Sequence, residues 1–175
     1  MQVMLRRERR RNSQVGMSLI ELMVAGVVLV VGFAGVMVLM MQAVASNGRN
    51  NKDTTAASVA QMVLERIQTL PEGSATTTTV TDCASQSWTI DSAVGGSGLT
   101  GGAVDFSAAK VANYNMQYVV CDNTGQQTTY DVRWNIAAAT THTSYVVVGV
   151  RPLGAASGNL RFFALPVNLR VMVGQ

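Results

Sequence analysis

The chain has 175 residues, with 13 basic and 10 acidic side chains, a formal charge of +3 and a sequence pI near 9.2. Five of the basic residues are arginines within the first 16 positions, opposed only by Glu8; the remainder carries eight basic and nine acidic groups and is close to neutral. The basicity is local, which excludes reading the body of the chain as a nucleic-acid binder on charge, and the length beyond residue 71 allows one small hydrophobic core.

In chain order, the leader holds Arg6, Arg7, Arg9, Arg10 and Arg11, and is followed by Gly16-Met17-Ser18-Leu19-Ile20-Glu21. From Leu22 to Met41 no side chain is charged. A segment of this length and character crosses a bilayer as a helix, and the arginines before it keep the N-terminus cytoplasmic. Glu21 stands at the start of the span, where an ionisable group costs roughly 2.5–3.5 kcal/mol on insertion scales and so implies a partner or a function.

This junction resembles the class III signal of type IV pilins and pseudopilins: glycine before the cut, a hydrophobic residue after it, and glutamate fifth in the mature chain. The resemblance implies that a membrane-embedded prepilin peptidase cuts between Gly16 and Met17 and methylates the new amine on Met17. It also makes Glu21 an assembly residue. In a helical stack the Met17 amine of one subunit meets Glu21 of its neighbour, and two costly charges neutralise each other only in the correct axial register. Two ordinary readings compete. Ala43-Val44-Ala45 before Ser46 fits a conventional secretory cut, but Met17 to Val44 far exceeds the usual ~7–15-residue apolar core of such signals. A plain signal anchor treats Glu21 as incidental. No lipobox cysteine follows the run, so a lipoprotein is not indicated.

Gly26, Gly32 and Gly35 lie within the span and have two readings. Small residues allow close helix packing, and glycine also makes local melting cheap. After Ala45 the sequence turns polar, Ser46 to Thr55, with Gly48 a possible bend. Val59, Met62, Val63, Ile67 and Leu70 then recur at three- and four-residue spacing and predict an amphipathic helix. It ends at Leu70-Pro71, because the residue before proline is pushed out of the helical region. Unbroken from Met17 to Leu70, the helix would span about 80 Å. The implied organisation is a cleaved leader at 1–16, a transmembrane half-helix at 17–45, an amphipathic half at 46–71 and a β-rich head at 72–175.

The head begins with polar loop material, including Thr76 to Thr79 and a flexible Gly95 to Gly102. The threonines are candidates for O-linked sugar. Strands are predicted over Tyr114–Val120, Thr128–Ile136, Ser144–Arg151 and Leu160–Val173 with a break at Pro166. Turns at Asn123-Thr124-Gly125 and Gly154 to Asn159 suit antiparallel hairpins. The expected fold class is α+β: a pilin-like lollipop in which a long N-terminal helix packs on a small antiparallel sheet.

Cys83 and Cys121 are the only cysteines. Both fall in the exported part, where two thiols most simply form one disulfide, tethering the glycine-rich loop to the sheet. His142 is the only histidine and there is no paired-cysteine motif, so neither a metal site nor a cysteine nucleophile with its base is indicated. Asp82, Asp91, Asp105, Asp122 and Asp131 lie mostly beside turn residues and suit backbone hydrogen bonding. The glycine-rich loop does not lead from a strand into a helix and is no phosphate cradle. No catalytic residue, cofactor or small-molecule substrate is expected.

Taken from Gly16 to the helix end Glu65-Arg66-Ile67-Gln68-Thr69-Leu70-Pro71, the chain is most similar to PilV-type minor pilins. The resemblance implies a structural subunit that helps initiate or cap a type IV pilus. Its partners would be prepilin peptidase, other major and minor pilins met through the N-terminal helix, and the inner membrane. The head would be periplasmic, and later part of an extracellular pilus or its tip. A minor pseudopilin of a type II secretion system shares the same N-terminus and is the alternative. A pilin-anchored binding module or enzyme is a third reading.

Overall fold

A computed structural model describes residues 18–70, 76–123, 125–141, 143–154 and 165–174. One helix, α1 (Leu19–Gln68), is followed by β1 (Thr77–Thr81), β2 (Ser87–Asp91), β3 (Gly95–Gly96), β4 (Leu99–Thr100) and β5 (Ala103–Val104). Then come β6 (Asn115–Cys121), β7 (Gln127–Thr140), β8 (Thr143–Pro152) and β9 (Val167–Gly174). The fold is α+β with antiparallel pairing throughout. By its internal contacts the chain divides into two units, 1–47 and 48–175.

In the first unit, α1 carries no charge from Leu22 to Met41 and every side chain from Ser18 is exposed. By length and composition this helix can cross a membrane. Gly26, Gly32 and Gly35 have nothing within 4 Å of where a Cβ would stand.

The second unit contains the rest of α1 and all the strands. Here Ala56, Val59, Ala60, Val63, Leu64 and Ile67 are buried, a three- and four-residue spacing that puts them on one face. The stripe begins one turn earlier than the sequence suggested, and Met62 and Leu70 prove half-buried at its margin. Gly48 marks no break, since the residues around it are helical.

The main sheet is built on β7. β8 pairs along one edge, from Tyr130 opposite Pro152 to Thr140 opposite Thr143, and β9 pairs with β8 beyond it. β6 and β3 share the other edge of β7: β6 covers Gln127 to Arg133, and β3 covers Asn135 and Ile136. Strand alternation sends Tyr130, Val132, Trp134 and Ile136 of β7, with Val146, Val148 and Val150 of β8, into one core with the α1 stripe. Val167, Leu169, Val171 and Val173 of β9 pack at its edge. β1 and β2 form a separate hairpin whose Val80 and Ile90 join the same core.

Two expectations are corrected. Thr77 to Thr81 is strand rather than loop, because β-branched threonine suits a pleated strand facing solvent. Gly95 to Gly102 is not a loose loop. Ser97 is fully buried, its N–H donates to the Trp134 carbonyl at 2.9 Å and its hydroxyl to the Tyr114 carbonyl at 3.2 Å. A Cβ on Gly96 would lie 2.5 Å from the Trp134 oxygen, so glycine is what lets this backbone lie flat on β7. The strands predicted at 114–120, 128–136 and 144–151 are present with small shifts. The leader, Pro71, His142, the turn beyond Gly154 and residues 160–164 lie outside the described residues.

Candidate functional site

Of the residues singled out in the sequence, Gly16 and Met17 lie outside the described residues. Glu21 sits in the first turn of α1, and its side chain is exposed. The Ser18 carbonyl accepts the N–H groups of Glu21 at 3.0 Å and Leu22 at 3.2 Å, which begins the helix. Ser18 and Glu21 have the Ser-x-x-Glu spacing of a capping box, and a carboxylate in the first turn opposes the positive end of the helix dipole. Glu21 therefore has a local reason to be acidic beside any intersubunit one.

Cys83 and Cys121 are joined, with Sγ–Sγ 2.05 Å and Cα–Cα 6.0 Å. Both half-cystines are exposed. The bridge links the β1–β2 turn to the end of β6; the glycine-rich loop is held instead by β3 pairing with β7, which corrects the expected tether. Beside the disulfide, the buried Asp82 carboxylate gathers the turn. One oxygen accepts the N–H groups of Ala84 at 3.0 Å and Gln86 at 2.9 Å; the other accepts the Trp88 indole at 3.1 Å and the Val119 N–H at 3.3 Å. The Cys83 N–H in turn donates to the Val119 carbonyl. Burial pushes the Asp82 carboxyl up, but the bonds from Gln86, Trp88, Val119 and Ala84 outweigh it and hold it below its ordinary value.

The opposite face of the main sheet carries a charge cluster that sequence reasoning missed. Asp131 is 1% exposed and receives Arg133 (Nη2 to Oδ2, 3.2 Å) and Arg151 (Nη2 to Oδ2, 3.0 Å). Arg133 also donates from Nη1 to the Ala108 carbonyl at 2.9 Å. The Phe106 ring lies against both guanidiniums, 5.3 Å from that of Arg133 and 4.5 Å from that of Arg151. Val104 is buried against Gly149 on the same face, and its N–H donates to Asn168 Oδ1 at 3.1 Å. Asp131 holds the two guanidiniums on the sheet, and Arg133 Nη1, the Phe106 ring and the Val104 N–H tie the 98–110 segment to it. A possible signal was Asp131-Val132-Arg133 in an alternating strand, which puts both charges on the face away from Val132.

Among the described residues no three His, Cys, Asp or Glu side chains converge as a metal site. A polar hollow of about 280 Å³ is lined by Lys52, Gln126 to Thr129 and Pro152 to Gly154. It joins no nucleophile to a base. The features with functional chemistry are thus the apolar half of α1 with its single carboxylate and a head cross-linked for rigidity. Compared with known proteins, the chain matches no protein-family model, no curated sequence and no solved structure.

Proposed function

We propose that this chain is a minor pilin, a structural subunit that helps initiate or cap a type IV pilus. Prepilin peptidase removes residues 1–16, methylates Met17 and leaves the apolar half of α1 as a single-pass anchor in the inner membrane. The head is periplasmic until the subunit enters the filament, giving a lollipop of stalk and β-rich head. The observation that carries this reading is the junction Gly16-Met17-Ser18-Leu19-Ile20-Glu21, running directly into a helix with no charge from Leu22 to Met41. Glu21 is the carboxylate that meets the Met17 amine of the neighbouring subunit. Support also comes from the amphipathic continuation of α1 on an antiparallel sheet and from the Cys83–Cys121 disulfide, which suits an oxidising compartment.

The test is the N-terminus of the protein purified from its native membrane, by intact mass and terminal sequencing. Methylated Met17 is expected. A chain beginning at Ser46 would make this a secreted soluble domain and end the filament reading.

A further inference from the structure

Two turns in the head share one hydrogen-bond pattern. β1 passes into β2 through Asp82 to Gln86, and β6 into β7 through Asp122 to Gln126. In each, the aspartate N–H donates to the carbonyl of the glutamine four residues on, at 2.9 Å from Asp82 and 3.0 Å from Asp122. The glutamine N–H returns to the aspartate Oδ1 at 2.9 Å in both. The residue before the glutamine donates to the aspartate carbonyl at 3.1 Å and is left-handed, Ser85 at φ +63° and Gly125 at φ +81°. Type I turns that end in a left-handed residue make tight hairpin loops, and an aspartate carboxylate closes them from within. Each turn therefore closes on local bonds and needs no cross-link.

The cysteines flank these aspartates: Cys83 follows Asp82, and Cys121 precedes Asp122. Asp82 also spans the two hairpins. Its Oδ2 accepts the Val119 N–H at 3.3 Å, while the Cys83 N–H donates to the Val119 carbonyl at 3.4 Å, two residues from Cys121. These bonds keep the two cysteine backbones side by side without help from the sulfurs. Both half-cystines are nevertheless exposed. Access for an external thiol therefore requires no unfolding.

We propose that Cys83–Cys121 is a site of reversible modification by low-molecular-weight thiols, opened and closed on a head that stays folded. An incoming thiolate attacks one sulfur, forms a mixed disulfide there and expels the other cysteine as a thiolate, which takes up a proton. A second thiolate then releases the adduct as a small disulfide, and the second cysteine is protonated in turn. Two electrons have passed from the small thiols to the bridge. The reverse steps close the bridge with the small disulfide as oxidant. The site stands on the head alone and is independent of the membrane reading.

The test uses the full chain in lipid nanodiscs with glutathione as the probe. Intact mass after acid quenching follows the bridge, and deuterium exchange follows segments 82–91 and 115–121. Opening is expected to be proportional to glutathione and to change less than about 2-fold on adding about 1 M urea. Opening through global unfolding would instead accelerate about 5- to 150-fold over that step. The reduced wild type is expected to keep its protection in both segments within about 3-fold of the oxidised protein. Asp82→Ala is expected to lose at least about 10-fold over 82–91 on reduction, because neither bridge nor carboxylate then holds the hairpin. Asp82→Asn keeps an accepting oxygen, should lie between the two, and carries the same comparison if Asp82→Ala does not fold. Strong acceleration by urea, or equal loss of protection on reduction in wild type and variant, would overturn the proposal.

Discussion

The Asp82 carboxylate and the Trp88 indole N–H meet at 3.1 Å across the turn that joins β1 to β2, and the same carboxylate reaches the Val119 N–H of β6. One side chain thus closes a hairpin and docks it on the main sheet. Asp82→Ala strands buried donors and is expected to cost about 2–4 kcal/mol in chemical denaturation. Asp82→Asn should recover part of this, since its amide oxygen still accepts. The pH dependence has a fixed sign. The folded carboxyl lies below its ordinary value, so its stabilisation is present in full above about pH 4 and is lost as pH falls through the folded value. Thermal unfolding between pH 5 and pH 2 should therefore show a shallower acid loss in the Asp82→Ala protein than in the wild type.

The disulfide reinforces the same junction. Replacing Cys83 and Cys121 together by serine should lower stability by about 2–4 kcal/mol. Because the Asp82 bonds remain, the reduced head is expected to stay folded in mild conditions. A double-mutant cycle checks this. Asp82→Ala in the serine background should cost more than in the oxidised protein, and equal costs would show that the two devices act independently.

Asp131 lies between two arginines of unequal burial, 4% exposed for the Arg133 side chain and 37% for Arg151. Asp131→Ala leaves the Arg133 guanidinium buried without its counter-charge and should cost about 3–5 kcal/mol. Arg151→Ala removes a half-exposed partner and should cost about 1 kcal/mol. Urea denaturation of the two variants gives the ranking, and a reversed order would show that Arg151, rather than Arg133, carries the cluster.

Two glycines separate close approach from backbone conformation. Gly149→Ala places a Cβ 2.7 Å from the Val104 Cβ, and overpacking of this kind costs about 1–3 kcal/mol. Gly101 has φ +59° with open space around it, so Gly101→Ala should cost only the left-handed penalty of about 1 kcal/mol. Melting curves of the two proteins test the distinction.

For the assembly role proposed for Glu21, Glu21→Val should leave membrane insertion intact and reduce incorporation into sheared filaments, assayed by fractionation and immunoblot. Normal incorporation would reduce Glu21 to a helix-start residue paired in sequence with Ser18.

The sequence was most legible where burial repeats. The α1 stripe and the alternation of Tyr130, Val132 and Trp134 announce their elements, because a buried face imposes its period on several consecutive residues. β1 and β2 were missed because each contributes one buried apolar residue, Val80 or Ile90, too little to show a period. The order in Gly95 to Gly102 was missed for another reason. Glycines that favour flexibility in isolation also permit contact with Trp134 that no other residue allows, and only the fold tells the two apart. Asp131 and Arg151 stand directly opposite each other across β7 and β8, a relationship set by register and invisible until register is known. Glu21 was readable from its sequence context alone, a lone carboxylate at the head of an uncharged run with Ser18 three residues before it.

The layout of β7 bears on how the protein is made. Its two edges are claimed by β3, β6 and β8, and the stripe on α1 is closed by valines of β8, far along the chain. Contacts so distant in sequence form late. A chain emerging N-terminus first therefore presents a finished helix with a bare apolar stripe well before its cover exists. Synthesis halted anywhere before Pro152 yields a sticky fragment rather than a smaller head. Quality control that recognises exposed helix stripes would sort whole chains from broken ones.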